Sequence, residues 1–242
     1  MKQHPVETLL FDFGGTLDAD GVAWKERFHE YYRAEGLDMA ADAFQPCFFA
    51  ADSSLVGNLP HAADLAATVH ALAARLEAEL TRAAPPGSGG ASSRNGRGAR
   101  VAARFLLDAS AAFARNRPVL QTLRKQYRLG VVSNFYGNLE AVCRSADLHS
   151  LFSVLIDSHQ VGAEKPDPAI FHAALGALGA SPETTILIGD SLRRDGEGAR
   201  RTGMRFVWMM SPDAHDSESK PSELPSVDFA VTELHALTSI LQ

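Results

Sequence analysis

The stretch Leu9–Asp18, LLFDFGGTLD, decides the fold because it joins an apolar strand to a polar turn. The apolar run ends at Asp12, and two glycines and a threonine follow within the next four residues. In a doubly wound sheet, ligands bind beyond the carboxyl ends of the strands, so a carboxylate there can be a nucleophile or a metal ligand. Because Asp-Xaa-Gly-Gly is also good turn chemistry, the motif alone leaves both interpretations open.

Short apolar runs recur along the chain, with helical patterns between the later ones. They carry little polar alternation, which is typical of strands covered on both faces. Helical spacing is found at Leu139–Ala146, Pro168–Leu178 and Arg194–Thr202. Strands that alternate with helices indicate an α/β fold with a parallel sheet. The predicted strands are Thr8–Phe13, Leu129–Ser133, Val154–Asp157, Thr185–Gly189, Arg205–Met210 and, as a sixth, Asp228–Val231.

The interval after the first strand contains helical patterns and no convincing strand. We therefore predict a core domain formed by residues 1–17 and 118–242, with an inserted helical domain at residues 18–117. Within the insertion, a segment near residues 84–99 is rich in Pro, Gly and Ser, which predicts a flexible loop. The predicted helices of the insertion are Trp24–Glu35, Ala62–Arg82 and Arg100–Ala114.

Composition limits the class of protein. The chain has 242 residues, and its hydrophobic content of 45% is typical of a globular protein. The formal net charge of −6 argues against nucleic-acid binding. The sequence shows neither a signal-peptide pattern nor a membrane-spanning run, so we expect a soluble, cytoplasmic protein without a membrane partner. The two cysteines, Cys47 and Cys143, form no metal-binding or redox motif and are predicted to be buried, inert thiols.

Polar side chains also stand at other strand ends and helix starts. The second strand ends in VVSN, the fourth in ILIGDSLRRD, and GAEKPDPAIF lies between them. Each polar residue alone has an ordinary explanation, such as a helix cap or a surface lysine. Their combination with the aspartate of the first strand favours a functional site at one edge of the sheet. These residues are Ser133, Asn134, Lys165, Asp190 and Asp195.

The four segments together resemble the motifs of the haloacid dehalogenase (HAD) superfamily, in the branch with a helical C1 cap. FDFGGTL resembles motif one, VVSN motif two, the lysine of EKPDPAIF motif three, and IGDSLRRDGEGARRTGM motif four. The resemblance covers residues 5–17 and 118–242 but not the inserted helices. It implies a Rossmann-like α/β fold, a doubly wound parallel sheet with an inserted α-helical cap domain.

The resemblance implies a phosphatase that hydrolyses a small phosphorylated metabolite with the help of Mg²⁺. Asp12 would attack phosphorus and form an aspartyl-phosphate, a recognised covalent strategy. Mg²⁺ would remove the repulsion between that carboxylate and the phosphate dianion. By the same resemblance, the metal ligands are the carboxylates of Asp12 and Asp190, the main-chain carbonyl of Gly14, and Asp195 directly or through water.

Phosphate recognition is assigned by the same resemblance to the remaining polar residues. Lys165 would neutralise negative charge on the phosphoryl group, and Ser133 would donate a hydrogen bond to its oxygens. Gly15, Thr16 and Asn134 complete the predicted substrate contacts. We expect the protein to be a monomer or a homodimer.

Gly14 departs from the pattern of the family's phosphatases, which usually have a second aspartate at this position. That aspartate protonates the leaving oxygen, and general acid–base catalysis is worth ~10²–10⁴-fold in rate. Three explanations remain open. A carboxylate such as Asp18 or Asp20, or a residue of the cap, supplies the proton; the substrate has an easily expelled leaving group; or the protein is catalytically weakened and acts by binding a ligand or a protein.

Substrate selectivity is expected to come from the cap, because the core motifs account for phosphate recognition. The aromatic stretch Ala43–Ser54, AFQPCFFAADSS, is a candidate pocket lining, although Phe44, Phe48 and Phe49 are more typical of an apolar core. Arg193 or Arg194 could contact the substrate or lie on a helix surface.

Overall fold

The computed structural model describes residues 5–84, 96–211 and 227–241, and its strands form one parallel, six-stranded sheet in the order β3-β2-β1-β4-β5-β6. The central strand β1 pairs with β2 on one side and β4 on the other, so that Phe11 lies opposite Val131 and Ile188. The strands are β1 (Thr8–Phe11), β2 (Arg128–Ser133), β3 (Val154–Asp157), β4 (Thr185–Gly189), β5 (Arg205–Met209) and β6 (Phe229–Val231).

Within the described residues, four long helices lie between β1 and β2, and shorter helices connect the later strands. After β4, residues Leu192–Gly196 form a π-helical turn. The α-helices are α1 (Trp24–Ala34), α2 (Ala41–Ser53), α3 (Leu65–Ala83), α4 (Arg97–Leu123), α5 (Leu139–Ser145), α6 (Ser158–Val161), α7 (Pro168–Leu178), α8 (Glu197–Thr202) and α9 (Leu237–Ile240). Short 3₁₀ helices lie at His149–Leu151, Pro182–Thr184 and Leu234–Ala236.

All six predicted strands are confirmed, with small differences at their ends. The first ends at Phe11 rather than Phe13, because Leu17 N–H already donates to the Phe13 carbonyl at 2.9 Å and closes a turn. The predicted helix Arg194–Thr202 begins at Glu197, because the π-helical turn precedes it.

The cap differs more from the prediction. Helix α2 was not predicted, and its sequence contains Pro46, which disfavours a helix interior. Helix α4 is longer than predicted and includes residues 97–99, which were expected to be loop. It starts earlier because Arg97 is buried, pairs with Glu77 of α3 at 3.0 Å and lies over the Tyr32 ring. Residues 85–95 of the predicted loop lie outside the described residues.

The division into core and cap domains stays a prediction. Its boundary between residues 117 and 118 falls inside α4, which continues to Leu123 with Pro118 within it. One apolar cluster joins the cap helices to one face of the sheet, through residues such as Leu9 and Phe11. A second cluster packs α7 and α8 on the opposite face, around Leu10 and Phe171. The sheet is therefore covered on both sides, as the apolar strands predicted.

Both cysteines are buried and unpaired, as predicted. Burial raises the pKa of Cys143 to about 12, which keeps its thiol protonated and unreactive at neutral pH. Within the described ranges, no helix combines the length and the apolar character that crossing a membrane requires.

Two helical glycines provide a matched test of the packing on the second face. A Cβ on Gly198 would lie 2.3 Å from Phe171 Cε2, whereas a Cβ on Gly176 has no heavy atom within 4 Å. We expect Gly198→Ala to lower the free energy of unfolding by about 1–3 kcal/mol through overpacking. Gly176→Ala should raise it by about 0.5–1 kcal/mol by restricting the unfolded chain. Chemical denaturation measures both free energies of unfolding. Equal changes in the two variants would contradict this packing.

Candidate active site

The predicted site residues meet at the carboxyl edge of the three central strands. Asp12 follows β1, Ser133 ends β2, and Asp190 follows β4. Asp12 N–H donates to the Ile188 carbonyl at 2.9 Å, which continues the strand pairing and brings Asp12 level with the end of β4. Residues that are distant in the sequence therefore share one edge because β1 lies between β2 and β4.

Asp12 is held by three donors. Its Oδ1 accepts hydrogen bonds from the Phe13 N–H at 2.7 Å and from Ser133 Oγ at 2.8 Å, and lies 2.8 Å from Lys165 Nζ. All three contacts are made to Oδ1, which fixes the orientation of the carboxylate. Oδ2 takes part in none of these three contacts and can face a ligand.

Lys165 is buried between two carboxylates. Its Nζ lies 2.8 Å from Asp12 Oδ1 and 2.6 Å from Asp195 Oδ1, and only 4% of the residue is exposed. Burial acts to lower the pKa of Lys165, but the Asp12 and Asp195 charges outweigh burial and raise the pKa above its ordinary value. The ammonium therefore stays charged and offsets part of the negative charge of the site.

Asn134 positions Lys165 through its main chain. The Lys165 N–H donates to Asn134 Oδ1 at 2.7 Å, and Asn134 Nδ2 donates to the Lys165 carbonyl at 3.3 Å. Thr16 contacts a residue of the site in a similar way, because its buried hydroxyl lies 3.4 Å from Asp190 Oδ1. The Thr16 N–H donates to the Phe13 carbonyl. The Gly15 N–H donates to Asp18 Oδ1 at 2.7 Å. Substrate contacts by these three residues stay predictions.

The carboxylates of Asp12, Asp190 and Asp195 form a tight cluster. One oxygen from each lies within 4.8 Å of the others, a spacing that allows them to hold one metal ion. Burial, followed by the charges of Asp12 and Asp195, raises the pKa of Asp190 well above its ordinary value. Three carboxylates, two of them on buried residues and that of Asp190 on a half-buried one, face one ammonium and leave an excess of negative charge. Oxygen ligands with this charge suit a hard divalent cation.

Glycine is required beside this cluster. Gly15 has a φ of +84°, and a Cβ on it would lie 2.4 Å from Asp190 Oδ2. A Cβ on Gly189 would lie 2.3 Å from Asp195 Cγ. Gly15 of the first motif and Gly189 of the fourth thus allow the backbone to approach the acidic side chains closely.

A cavity of about 400 Å³ opens over the cluster. The core contributes Asp12, Gly14, Lys165 and the end of β2 to its wall, whereas the opposite wall comes from α1 and α2. Arg194 also lines the cavity. Of the two arginines considered as substrate contacts, Arg193 and Arg194, it is therefore Arg194 that is in reach of a ligand. The cap residues in the wall include Trp24, Phe48, Phe49, Asp52 and Val56.

The aromatic stretch of the cap serves both of its predicted roles. Phe44 is buried in the apolar core. Phe48 is also buried but reaches the cavity wall, and Phe49 lines the cavity with 40% of its surface exposed.

The space beside Gly14 is filled by the indole of Trp24. A Cβ on Gly14 would lie 3.1 Å from Trp24 Nε1 and 3.3 Å from Cδ1. Trp24 is fixed in turn, because Nε1 donates to Asp18 Oδ2 at 2.7 Å and its ring packs edge-on against Phe105. A side chain at position 14 would therefore require the indole to shift by a few tenths of an ångström.

Asp18 and Asp20, the two carboxylates considered as substitutes for the missing acid, are engaged elsewhere. Asp18 is 1% exposed, and its Oδ2 also accepts from Arg27 at 2.9 Å. Asp20 pairs with Arg115. Neither carboxylate is part of the cavity wall formed by the described residues. The structure therefore does not support either as the proton donor.

The cavity wall also contains Trp24, Asp52 and Tyr136, which are not among the predicted site residues. Trp24 and Asp52 reach the cavity through the packing of α1 and α2, and only Asp52 had a sequence signal, its place in the candidate lining stretch Ala43–Ser54. Tyr136 lies three residues after Ser133, beyond the end of β2, and had no such signal.

Gly14 and Trp24 should be energetically coupled. We expect Gly14→Asp to lower the free energy of unfolding by about 1–3 kcal/mol, because the indole must move. In the Trp24→Ala background the same change should cost much less, so the two losses should not be additive. Chemical denaturation of the single and double variants measures the coupling, with Gly14→Ala as a smaller control. Additive losses would contradict the contact.

Comparison with known proteins agrees with this site. A family model described as haloacid dehalogenase-like hydrolase matches residues 6–203. The chain is 35% identical over 117 residues to haloacid dehalogenase-like hydrolase domain-containing protein 3 of Bos taurus, covering 48% of this chain and 46% of that protein. It is 32% identical over 129 residues to glyceraldehyde 3-phosphate phosphatase of Pyrococcus furiosus, covering 52% of each. It is 40% identical over 79 residues to phosphoserine phosphatase of Thermus thermophilus, covering 31% of each.

The matched segments therefore span about half the length of these relatives or less. Solved structures agree over nearly the whole chain. The HAD-hydrolase YfnB from Bacillus subtilis bound to magnesium has a TM-score of 0.58 at 20% identity, covering 99% of this chain and 100% of that one. The HAD phosphatase from Thermococcus onnurineus has a TM-score of 0.55 at 20% identity, covering 98% of each.

These matches confirm the predicted Rossmann-like α/β fold with an inserted helical cap. The family model covers most of the sequence, including the segments that supply the clustered carboxylates and the buried lysine. The chain belongs to the haloacid dehalogenase-like hydrolase family.

Proposed function

We propose that the protein is a Mg²⁺-dependent phosphatase that hydrolyses a small organic phosphate monoester through an aspartyl-phosphate on Asp12. One observation carries the proposal. Three carboxylates and a buried ammonium converge beneath a cavity large enough for a small metabolite. Two relatives named for small phosphorylated metabolites, the phosphoserine and glyceraldehyde 3-phosphate phosphatases, support the substrate class.

Asp12 has the surroundings of a nucleophile. Three donors fix Oδ1, so Oδ2 can attack phosphorus without a change of rotamer. The P–O bond to the substrate's organic part then breaks, and its oxygen leaves with a proton. Water subsequently attacks the aspartyl-phosphate, which releases phosphate and restores Asp12.

Positive charge must surround the phosphoryl oxygens during the transfer. Lys165 supplies a permanent charge beside Asp12, and the Ser133 hydroxyl adds a donor at the same edge. The carboxylates of Asp12 and Asp190, with Asp195 behind them, fit a magnesium ion, and the Gly14 carbonyl is the fourth proposed ligand. When bound, this ion would offset the repulsion between nucleophile and phosphate and stabilise the transferred group.

A second function is favoured by one specific observation. Gly14 lacks the family's usual acid, and the packing of Trp24 against Gly14 crowds the space that such a side chain would enter. A protein without any replacement acid would be a weak catalyst and would act by binding a ligand or another protein. The two functions give different results in one assay.

Phosphate release from a panel of small phosphate monoesters, with and without Mg²⁺, tests the proposal. We expect turnover with Mg²⁺, its loss in EDTA and its return when Mg²⁺ is added in excess. Asp12→Asn should lower kcat/KM by more than ~10³-fold, because no nucleophile remains.

Asp42→Asn is a matched control, because it makes the same change at an exposed residue in the first turn of α2. This variant should retain full activity. Ligand binding without any phosphate release by the unmodified protein would instead support the binding function. Full activity of Asp12→Asn would contradict the mechanism.

A further inference from the structure

We propose that Asp52, on the cap helix α2, is the general acid and base that replaces the carboxylate missing at position 14. The inference deepens the phosphatase function proposed above and rests on it. It names the residue that gives a proton to the leaving oxygen and later takes one from the attacking water.

Asp52 lines the same cavity as Asp12, Ser133 and Lys165 but belongs to the opposite, cap wall. Its Oδ1 accepts a hydrogen bond from the Tyr136 hydroxyl at 2.5 Å. Tyr136 is a buried residue three positions after Ser133, so a core residue fixes the cap carboxylate over the site. Asp52 Oδ2 is not the acceptor of this bond and can carry a proton.

A chain of contacts connects Asp52 to the backbone at Gly14 through two aromatic rings. The Trp24 ring fills the space beside Gly14, and the Tyr136 ring packs beside that indole with 6.4 Å between centroids. Tyr136 then bonds to Asp52. The indole that lies against Gly14 is therefore next to the tyrosine that holds Asp52.

Other carboxylates of the cavity wall fit the role less well. Apart from Asp12 and Asp190, the wall formed by the described residues contains the carboxylates of Glu26, Asp52 and Glu164. Glu26 is exposed and pairs with Lys25 at 3.0 Å, and Glu164 is exposed. Asp52 is the least exposed of these three. It is the one held in a defined orientation by a buried partner.

The surroundings of Asp52 favour a group that keeps its proton. Burial raises the pKa of Asp52 above its ordinary value, and Glu164 acts in the same direction. The Tyr136 hydrogen bond and the Arg194 charge oppose this rise without cancelling it. On α1, the charges of Lys25 and Glu26 face the same cavity and largely offset each other. A carboxyl group with a raised pKa can donate a proton nearer neutral pH, as general acid catalysis requires.

The proton balance closes over the two steps. When Asp12 bonds to phosphorus, the P–O bond to the leaving group breaks and its electron pair takes the proton of Asp52. Asp52 is then a carboxylate. As water attacks the aspartyl-phosphate, Asp52 takes a proton from that water, phosphate leaves, and the enzyme returns to its starting state.

Leaving-group dependence tests the role, because only a basic leaving oxygen needs a proton. The probes are benzyl phosphate, which expels a strongly basic alkoxide, and p-nitrophenyl phosphate, which expels a weakly basic phenolate of similar size. With Mg²⁺ present, we expect Asp52→Asn to lower kcat/KM for benzyl phosphate by ~10²-fold or more. The loss for p-nitrophenyl phosphate should be less than about threefold.

Three variants sharpen the test. Asp42→Asn, on the same helix, should leave both rates unchanged. Asp52→Glu keeps a carboxyl group and should restore part of the benzyl phosphate activity, whereas a folding defect in Asp52→Asn would lower both rates. Tyr136→Phe removes the hydrogen bond that orients Asp52. It should lower kcat/KM by less than Asp52→Asn does, and again more for benzyl phosphate than for p-nitrophenyl phosphate.

The outcomes separate this inference from the function on which it rests. Equal losses on both probes, or no loss, would overturn the role of Asp52 while leaving the phosphatase intact. Hydrolysis of p-nitrophenyl phosphate but not of benzyl phosphate by the unmodified protein would also overturn it. If neither probe nor any metabolite is hydrolysed, both proposals fail.

Discussion

The ion-pair contacts of Lys165 with Asp12 and Asp195 are the interactions on which the rest of the site depends. Clustering three carboxylates, two of them on buried residues, is costly, because they lose hydration and repel one another. The ammonium offsets one of these charges and is itself stabilised by two of them. It also fixes Asp12 Oδ1 and Asp195 Oδ1 in place. The remaining negative charge is what makes the cluster suited to a divalent cation.

The topology of the sheet makes this cluster possible. Because β1 lies between β2 and β4, Asp12 meets the end of β2 on one side and Asp190 on the other. The Lys165 main chain is joined to Asn134 by two hydrogen bonds, so the segment before α7 is attached to the end of β2. On the other side of β1, Trp208 of β5 donates from Nε1 to the Asp190 carbonyl at 2.9 Å. This bond attaches the segment after β4 to β5. The predicted site residues are thus positioned by contacts within the core.

The core of this site was predictable from the sequence because its residues follow strand ends in recognisable motifs. Asp12, Ser133 and Asp190 each end an apolar run, and parallel strands place such ends together. Trp24 and Asp52 gave no comparable signal. Their positions depend on how α1 and α2 pack onto the sheet, and α2 itself was obscured by Pro46. The start of α4 was also missed, because the buried pair of Arg97 with Glu77 overrides a glycine-rich sequence.

Anomalous diffraction from crystals grown with Mn²⁺, an oxygen-seeking stand-in for Mg²⁺, tests the central claim most directly. If the clustered carboxylates form a cation site, the strongest anomalous peak should lie within coordination distance of the Asp12 and Asp190 carboxylates. The peak should vanish in crystals of Asp190→Asn. No peak at this edge of the sheet under saturating Mn²⁺ would contradict the account.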